Sequence, residues 1–229
     1  MIERKLNDRL LSAASLVRQG AVFADIGTDH AYLPIFLLKE GRISRAVATD
    51  VNHGPLLSAE RNVGEAGYLD RVDFRLTDGA AALSDLGITD YAICGMGGEL
   101  IANIISHAPH LFDKNLRLIL QPMSRQSYLR RFLLSSGFDI IREIYSYDTG
   151  KYYTCMLAEY TGIRREITEE EATVGLASTE HLGEFRRGYL EARLASLRRA
   201  MDGKLRGGVA EPEETPLVRA LEELIREFS

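Results

Sequence analysis

The stretch from Val22 to Pro34 constrains the fold more than any other part of the chain. A short apolar run contains the acid Asp25 and ends just before Gly27. A helix-like pattern then begins at Leu33. A strand, a tight turn and a helix in this order form the first unit of a doubly wound α/β sheet. Such sheets bind ligands beyond the carboxyl ends of their strands, so the turn at Gly27 predicts where the ligand lies.

The turn after this strand predicts the charge of the ligand. Thr28, Asp29 and His30 follow Gly27 without the second glycine of a dinucleotide fingerprint. The carboxylates of Asp25 and Asp29 stand where a pyrophosphate would sit, which disfavours NAD and ATP and favours a cationic ligand such as S-adenosylmethionine. The residues of this turn that are predicted to bind the cofactor are Asp25, Gly27, Thr28, Asp29 and His30. The structural alternative is that the two acids only form the turn and cap the helix.

The second predicted strand, residues 46–50, ends in an acid, and another acid comes soon after the third, residues 72–76. The first of them, Asp50, is predicted to accept hydrogen bonds from ribose hydroxyls. The second, Asp78, is predicted to accept a hydrogen bond from the amino group of adenine. The structural alternatives are a helix cap and a turn. The residues predicted to contact the cofactor at these two strand ends are Asp50, Val51, Asn52, Asp78 and Gly79.

A glycine-rich segment, Gly95–Gly98, follows the fourth predicted strand. Three glycines in four residues cost backbone entropy, which is understandable if a flat molecule lies against the segment. In class I methyltransferases this segment lies between the donor methyl group and the acceptor. The structural alternative is a turn whose small residues allow close packing. Cys94 and Gly95 join the predicted cofactor contacts, and the predicted catalytic residues are Gly95, Met96, Gly97, Asp29 and Tyr32.

The strands after residue 116 distinguish between two kinds of sheet. A fifth strand at 116–122 and a helix at 126–135 are followed by two strands joined by Asp148-Thr149-Gly150-Lys151, a typical β-hairpin turn. A terminal hairpin in place of another crossover helix is characteristic of the methyltransferase sheet. With a first helix at 6–18, the sequence predicts an α/β, Rossmann-like class I methyltransferase domain with a terminal antiparallel hairpin over residues 1–160.

The pattern changes after residue 160 and predicts a helical hairpin over residues 161–229. Acids after Thr168 favour a helix start. Leucines and a methionine then recur at coiled-coil spacing until Gly207-Gly208, and a second helix begins at Pro216. The first of these helices is rich in basic residues, which are either a solvated face or a phosphate-binding stripe. They are Arg186, Arg187, Arg193, Arg198, Arg199, Lys204 and Arg206.

Composition limits the remaining classes of function. The chain has 229 residues and a net charge of −5, so a nucleic-acid contact requires a local basic patch. No apolar run approaches the ~20 residues of a membrane span, and the N-terminus lacks the apolar segment of a signal peptide. We therefore expect a cytoplasmic protein without a membrane partner. Cys94 and Cys155 lie in apolar runs, which predicts buried thiols and neither a disulfide nor a metal site.

Three motifs carry a resemblance to a known family, residues 25–34, Gly95–Gly98 and Leu120-Gln121-Pro122. With them, the chain resembles the bacterial tRNA (adenine-22-N1)-methyltransferases over nearly its whole length. The resemblance implies S-adenosylmethionine as methyl donor, tRNA as substrate, and N1 of the adenine at position 22 as acceptor. It also implies that the helical hairpin belongs to the tRNA-binding part.

Two other functions stay open on the residues themselves. The chain also fits a class I methyltransferase that acts on a protein or a small molecule. A third hypothesis is a non-catalytic protein that binds S-adenosylmethionine and uses its helical hairpin to hold a partner. Methylation of tRNA distinguishes the three, because only the first hypothesis predicts a methyladenine product.

Overall fold

The computed structural model describes residues 6–207 and 214–228. Within these residues, eight strands form one mixed sheet of order β3-β2-β1-β4-β5-β7-β6-β8. The strands are β1 (Ala21–Ile26), β2 (Ile43–Asp50), β3 (Val72–Leu76), β4 (Asp90–Gly97), β5 (Arg117–Ser124), β6 (Phe138–Asp148), β7 (Lys151–Tyr160) and β8 (Glu180–Leu182). The predicted α/β methyltransferase sheet is confirmed.

Helices cover both faces of this sheet and make the protein a three-layer structure. The first three helices pack with Phe23 and Ala46 on one face. The fourth and fifth pack with Tyr91 and Ile93 on the other face. The helices are α1 (Asp8–Leu16), α2 (Tyr32–Lys39), α3 (His53–Ala66), α4 (Gly98–Ser106), α5 (Gln126–Ser135), α6 (Glu169–Val174), α7 (Arg186–Arg206) and α8 (Thr215–Arg226).

Strand direction follows the sequence prediction. Strands β1 to β5 pair in parallel, whereas β7 is antiparallel to both β5 and β6. The β6–β7 turn places Thr149 at φ 48° and Gly150 at φ 81°. Positive φ at both central residues is the geometry of a two-residue type I′ hairpin turn, which glycine favours.

The segment after residue 160 contains a strand that the sequence analysis did not predict. Helix α6 begins at the predicted place, where Thr168 and Glu171 form a reciprocal capping box. The helix then ends at Val174, and β8 pairs in parallel with Arg142–Ile144 of β6. Residues beyond 160 therefore complete the edge of the sheet. The division of the chain at residue 160 stays a prediction.

A fully buried ion pair attaches this segment to the sheet. Arg130 of α5 binds both carboxylate oxygens of Glu143 on β6, at 2.6 and 2.9 Å, and donates to the backbone oxygen of Ala172 at 2.8 Å. The Tyr145 hydroxyl donates to the same carboxylate at 2.7 Å and also contacts His181 of β8. Burial opposes ionisation of Glu143, but the charge of Arg130 outweighs it, so the pKa of Glu143 is lowered.

The helical hairpin is confirmed as antiparallel. Lys204 pairs with Glu214 at 2.6 Å near the connection, and Arg198 pairs with Glu222 at 2.7 Å farther along. The predicted apolar seam is formed by Leu190, Leu194, Leu197 and Met201 against α8. Its last predicted member, Leu205, lies near the end of α7 and is exposed.

Removal of the buried ion pair should destabilise the protein strongly. We predict that Arg130→Met lowers the free energy of unfolding by about 3–5 kcal/mol, because Glu143 is left charged and buried without its partner. Urea denaturation measures this change. Arg75→Met is the matched control, since Arg75 pairs with Asp73 on the surface, and should change stability far less. Equal effects of the two substitutions would contradict the anchoring role of Arg130.

Candidate functional site

The turn after β1 is held by backbone hydrogen bonds to the neighbouring strand. The amides of Gly27 and Thr28 both donate to the backbone oxygen of Thr49, at 2.8 Å each. Gly27 has φ 73°, a conformation that glycine adopts without strain. The Thr28 hydroxyl donates to Asp25 at 2.7 Å. This network fixes the buried carboxyl group of Asp25 directly below the turn.

The environment of Asp25 makes its charge sensitive to a ligand. Burial raises the pKa of Asp25 to about 6, and the hydrogen bond from Thr28 offsets part of this rise. A cation that approaches the carboxyl group would favour its ionised form. A cationic cofactor therefore fits this position better than an anionic one.

The next residues, Asp29–Tyr32, form a short segment beside the turn that we call the lip. Asp29 has φ 47° and Ala31 has φ 55°, and such strained backbone at non-glycine residues clusters at functional sites. Asp29 and His30 pair at 3.5 Å, and the rings of His30 and Tyr32 lie 5.2 Å apart. Asn62 donates to the backbone oxygen of His30 at 2.9 Å and holds the lip against α3. The lip presents an aromatic, partly exposed surface.

The predicted ribose and adenine residues lie at the carboxyl ends of β2 and β3. Asp50 accepts a hydrogen bond from the amide of Asn52 at 2.8 Å, and a carboxylate retains acceptor capacity after one such bond. The amide of Thr77 donates to the backbone oxygen of Asp50 at 3.0 Å, which brings the two strand ends together. Val51 and Asp78 are exposed at this edge. Their contacts with the cofactor stay a prediction.

The glycine-rich segment extends β4 and does not form a separate loop. β4 continues through Gly97, with irregular pairing to β5. The side chain of Met96 covers the backbone of Gly27, where any Cβ would collide with it. The two motifs therefore meet, although about 70 positions separate them in the sequence.

The three glycines of this segment are not equivalent. Gly95 needs its positive φ of 79°, and Gly98 lies so close to the backbone oxygen of Arg125 that a Cβ would clash. Gly97 has an ordinary extended backbone, with φ −68° and ψ 147°. Among the described residues, a Cβ on Gly97 would meet Ser124 Oγ alone, at 3.3 Å. Backbone conformation and packing thus account for two of the glycines and leave Gly97 without such a reason.

Both cysteines are free thiols, and Cys155 is buried as the sequence predicts, whereas Cys94 is only partly buried. Cys94 is half-buried at the end of β4. Burial raises the pKa of its thiol well above the ordinary value, with Cys155 and Asp25 adding to the rise and Arg9 opposing it. The Cys94 thiol is therefore neutral at physiological pH, which argues against a role as a nucleophile.

Two residues that the sequence analysis did not select lie at the same edge. Arg9 reaches from α1 to the buried side chain of Gln121 on β5, at 2.5 Å. Gln121 belongs to one of the quoted motifs, but no local pattern identifies Arg9.

The described residues contain no group of three or more His, Cys, Asp and Glu side chains placed to hold a metal ion. Nor does any helix of residues 6–207 and 214–228 have the length and apolarity to cross a membrane.

Comparison with known proteins adds a family to this geometry. Residues 6–156 match a family model described as a methyltransferase domain. The chain is 36% identical over 159 residues to the tRNA (adenine(22)-N(1))-methyltransferase of Bacillus subtilis. The matched region covers 69% of this chain and 67% of that protein. The chain belongs to the tRNA (adenine(22)-N(1))-methyltransferase family.

Solved structures of this family share the whole fold. A Streptococcus pneumoniae protein, described as a candidate tRNA (m1A22) methyltransferase and solved with S-adenosyl-L-methionine, superposes with a TM-score of 0.82 at 31% identity. The match covers 96% of this chain and 100% of that one. The Bacillus subtilis m1A22 tRNA methyltransferase gives a TM-score of 0.74 at 27% identity, over 98% and 99% of the two chains.

The methyl donor of this family is S-adenosyl-L-methionine. The residues present fit it, because among the described residues only the flexible end of the Met96 side chain covers Gly27, and acids stand at three strand ends. We assign Asp25, Gly27 and Thr28, with Asp50 and its neighbours, to donor binding as a prediction.

The raised pKa of Asp25 predicts how donor binding depends on pH. The donor is a cation and favours ionised Asp25, so part of the binding free energy is spent on removing a proton below pH 6. Affinity for S-adenosylmethionine should therefore rise by up to about tenfold per pH unit from pH 5 to 6 and level off above pH 6. Calorimetry at each pH measures this. Asp25→Asn keeps an acceptor for Thr28 and should flatten the profile; an equally steep profile in that variant would contradict the assignment.

Proposed function

We propose that the protein transfers a methyl group from S-adenosyl-L-methionine to N1 of the adenine at position 22 of tRNA. The observation that carries this proposal is the position of Gly97. It follows Met96, whose side chain contacts the turn at Gly27, and its backbone is extended, so that a Cβ there would meet only the small Ser124 side chain among the described residues. The missing side chain leaves room for a planar acceptor next to the donor site. The Bacillus subtilis relative is named for methylation of this adenine.

The chemistry requires few catalytic groups. S-adenosyl-L-methionine supplies an electrophilic methyl group on its sulfonium. Neutral adenine already carries a lone pair on N1, so no side chain has to remove a proton to create the nucleophile. The residues of the site have to hold the acceptor in line and exclude water, and orientation alone supplies several kcal/mol. The neutral Cys94 thiol and the half-buried Met96 suit such a role.

The lip formed by Asp29–Tyr32 supplies the contacts that an adenine needs. An adenine in folded tRNA has to leave its stack to reach the site, and a flipped base is held by aromatic side chains. The adjacent rings of His30 and Tyr32 offer such a surface. Methylation at N1 gives the base a positive charge, which the exposed carboxylate of Asp29 and the backbone oxygens of Gly95 and Met96 would stabilise.

The position of the helical hairpin suits a tRNA-binding role. Because β7 runs antiparallel to β5, the β6–β7 turn lies at the same edge of the sheet as the donor site. Tyr152 near this turn packs against Gly188 of α7, so the helical hairpin begins at that edge too. β6 is three strands from β4, a distance of about 14 Å. One tRNA molecule easily spans both places.

The ion pairs of α7 reduce the number of basic residues that we propose as phosphate contacts. Arg187, Arg198 and Lys204 are already paired, with Glu191, Glu222 and Glu214 respectively. Arg199 and Arg206 are also exposed, and these three ion pairs do not include them. We therefore assign the electrostatic contact with tRNA to Arg199 and Arg206 and treat the paired residues as supports of the hairpin.

Residues 1–160 bind the donor and the target base, and residues 161–229 contribute the tRNA-binding surface together with the edge of the sheet. A cytoplasmic location, where tRNA is modified, belongs to the same proposal.

The proposal is tested by incubation with unfractionated tRNA and labelled S-adenosylmethionine, followed by nucleoside analysis. The wild-type protein should yield 1-methyladenosine. Gly97→Val should bind the donor and melt normally but yield almost no product, because its side chain fills the acceptor space and small misplacements cost orders of magnitude in rate. Arg199→Glu combined with Arg206→Glu should raise the KM for tRNA several-fold without a change in donor affinity.

Three outcomes would contradict parts of this account. Label transferred only to proteins or small molecules would indicate another methyltransferase activity, and donor binding without any transfer would indicate a binding protein. Normal turnover by folded Gly97→Val would exclude the acceptor site beside Gly97.

A further inference from the structure

A second positive charge, outside the sequence motifs, reaches the donor site. Arg9 is half-buried on α1, and its Nη1 atom lies 2.5 Å from Gln121 Oε1. The same nitrogen lies 3.5 Å from where a Cβ on Gly95 would be. The guanidinium group of Arg9 therefore borders the glycine-rich segment at the point where β4 reaches the site.

The side chain of Gln121 fixes this arrangement. Gln121 is fully buried, and its amide oxygen also accepts a hydrogen bond from the amide of Gly95 at 3.2 Å. Its amide nitrogen donates to the backbone oxygen of Pro122 at 3.3 Å. The glutamine thus has one orientation, with its oxygen toward Arg9 and Gly95. An arginine has five N–H donors, and the bond to Gln121 uses one of them.

Opposite charges flank the end of β4. Asp25 lies on β1 and Arg9 binds Gln121 on β5, the two strands beside β4, and both are close enough to the Cys94 thiol to act on it electrostatically. Two other basic side chains near the turn have acidic neighbours, since His30 lies 3.5 Å from Asp29 and Arg125 lies 3.4 Å from Glu99. A buried carboxyl group and a half-buried guanidinium group on either side of one strand end complement a bound amino acid, which carries an ammonium and a carboxylate.

We propose that Arg9 binds the carboxylate of the methionine part of the donor, and that Gln121 is the positioning residue that holds Arg9 for this contact. The planar guanidinium group matches a carboxylate better than any other side chain, because it donates two parallel hydrogen bonds. The inference rests on S-adenosyl-L-methionine as the donor and does not depend on the identity of the methyl acceptor.

The test compares two ligands that differ only in this group, S-adenosylmethionine and decarboxylated S-adenosylmethionine, by calorimetry and without tRNA. Arg9→Met should weaken binding of S-adenosylmethionine by about 10- to 100-fold, the usual effect of a lost charged hydrogen bond, and leave the decarboxylated ligand nearly unaffected. Gln121→Leu keeps the volume but removes the acceptor, and it should shift the ratio of the two affinities in the same direction.

Arg45→Met is the matched control, because Arg45 donates to the backbone oxygen of Leu86 at the opposite edge of the sheet and should change neither affinity. Melting temperatures show whether each variant is folded. Equal losses for both ligands in folded Arg9→Met would overturn the proposal and make Arg9 a structural support. Unchanged donor affinity with a raised KM for tRNA would also overturn it, since Arg9 would then contact a phosphate. Neither result depends on whether tRNA is the true acceptor.

Discussion

The site exists because the strand order reverses between β1 and β4. The connection after β1 carries α2 to one face of the sheet, and the connection after β4 carries α4 to the other. The two chain segments diverge as they leave the sheet, so a crevice opens at the carboxyl ends of the strands. Met96 and Gly27 meet across this crevice. Asp25 lies on β1 and Arg9 reaches the Gly95 end of β4, so the topology brings the two charged groups to the same part of the sheet.

The buried pair of Arg130 and Glu143 extends this arrangement to the C-terminal part of the chain. It joins α5, β6 and α6, and through Tyr145 it reaches His181 of β8. A buried ion pair contributes little net stability, but removal of one partner is costly, so the pair selects one packing over others. We infer that it fixes where the helical hairpin begins relative to the donor site.

Local patterns in the sequence predict the elements of this fold, because parallel strands, the hairpin turn and the capping box at Thr168 each have a signal within a few residues. The strand β8 has three residues and no alternation, so it forms only because β6 offers an unpaired edge. Likewise, Arg130 resembles any solvent-facing helix residue until tertiary packing buries it. Arg9 and Gln121 are 112 positions apart, and no periodicity links them. For this reason, sequence reasoning selected the acidic residues that we propose for the site and did not select Arg9.

The position of the methyl group within tRNA tests the central claim most directly. Two transcripts of one tRNA, with adenine or guanine at position 22, are incubated with the enzyme and S-adenosylmethionine and then copied by reverse transcriptase. A methyl group on N1 occupies the base-pairing edge, so copying stops next to a modified adenine. Our account predicts a new stop at position 22 in the adenine transcript and none in the guanine transcript. A stop elsewhere, or equal methylation of both transcripts, would contradict it.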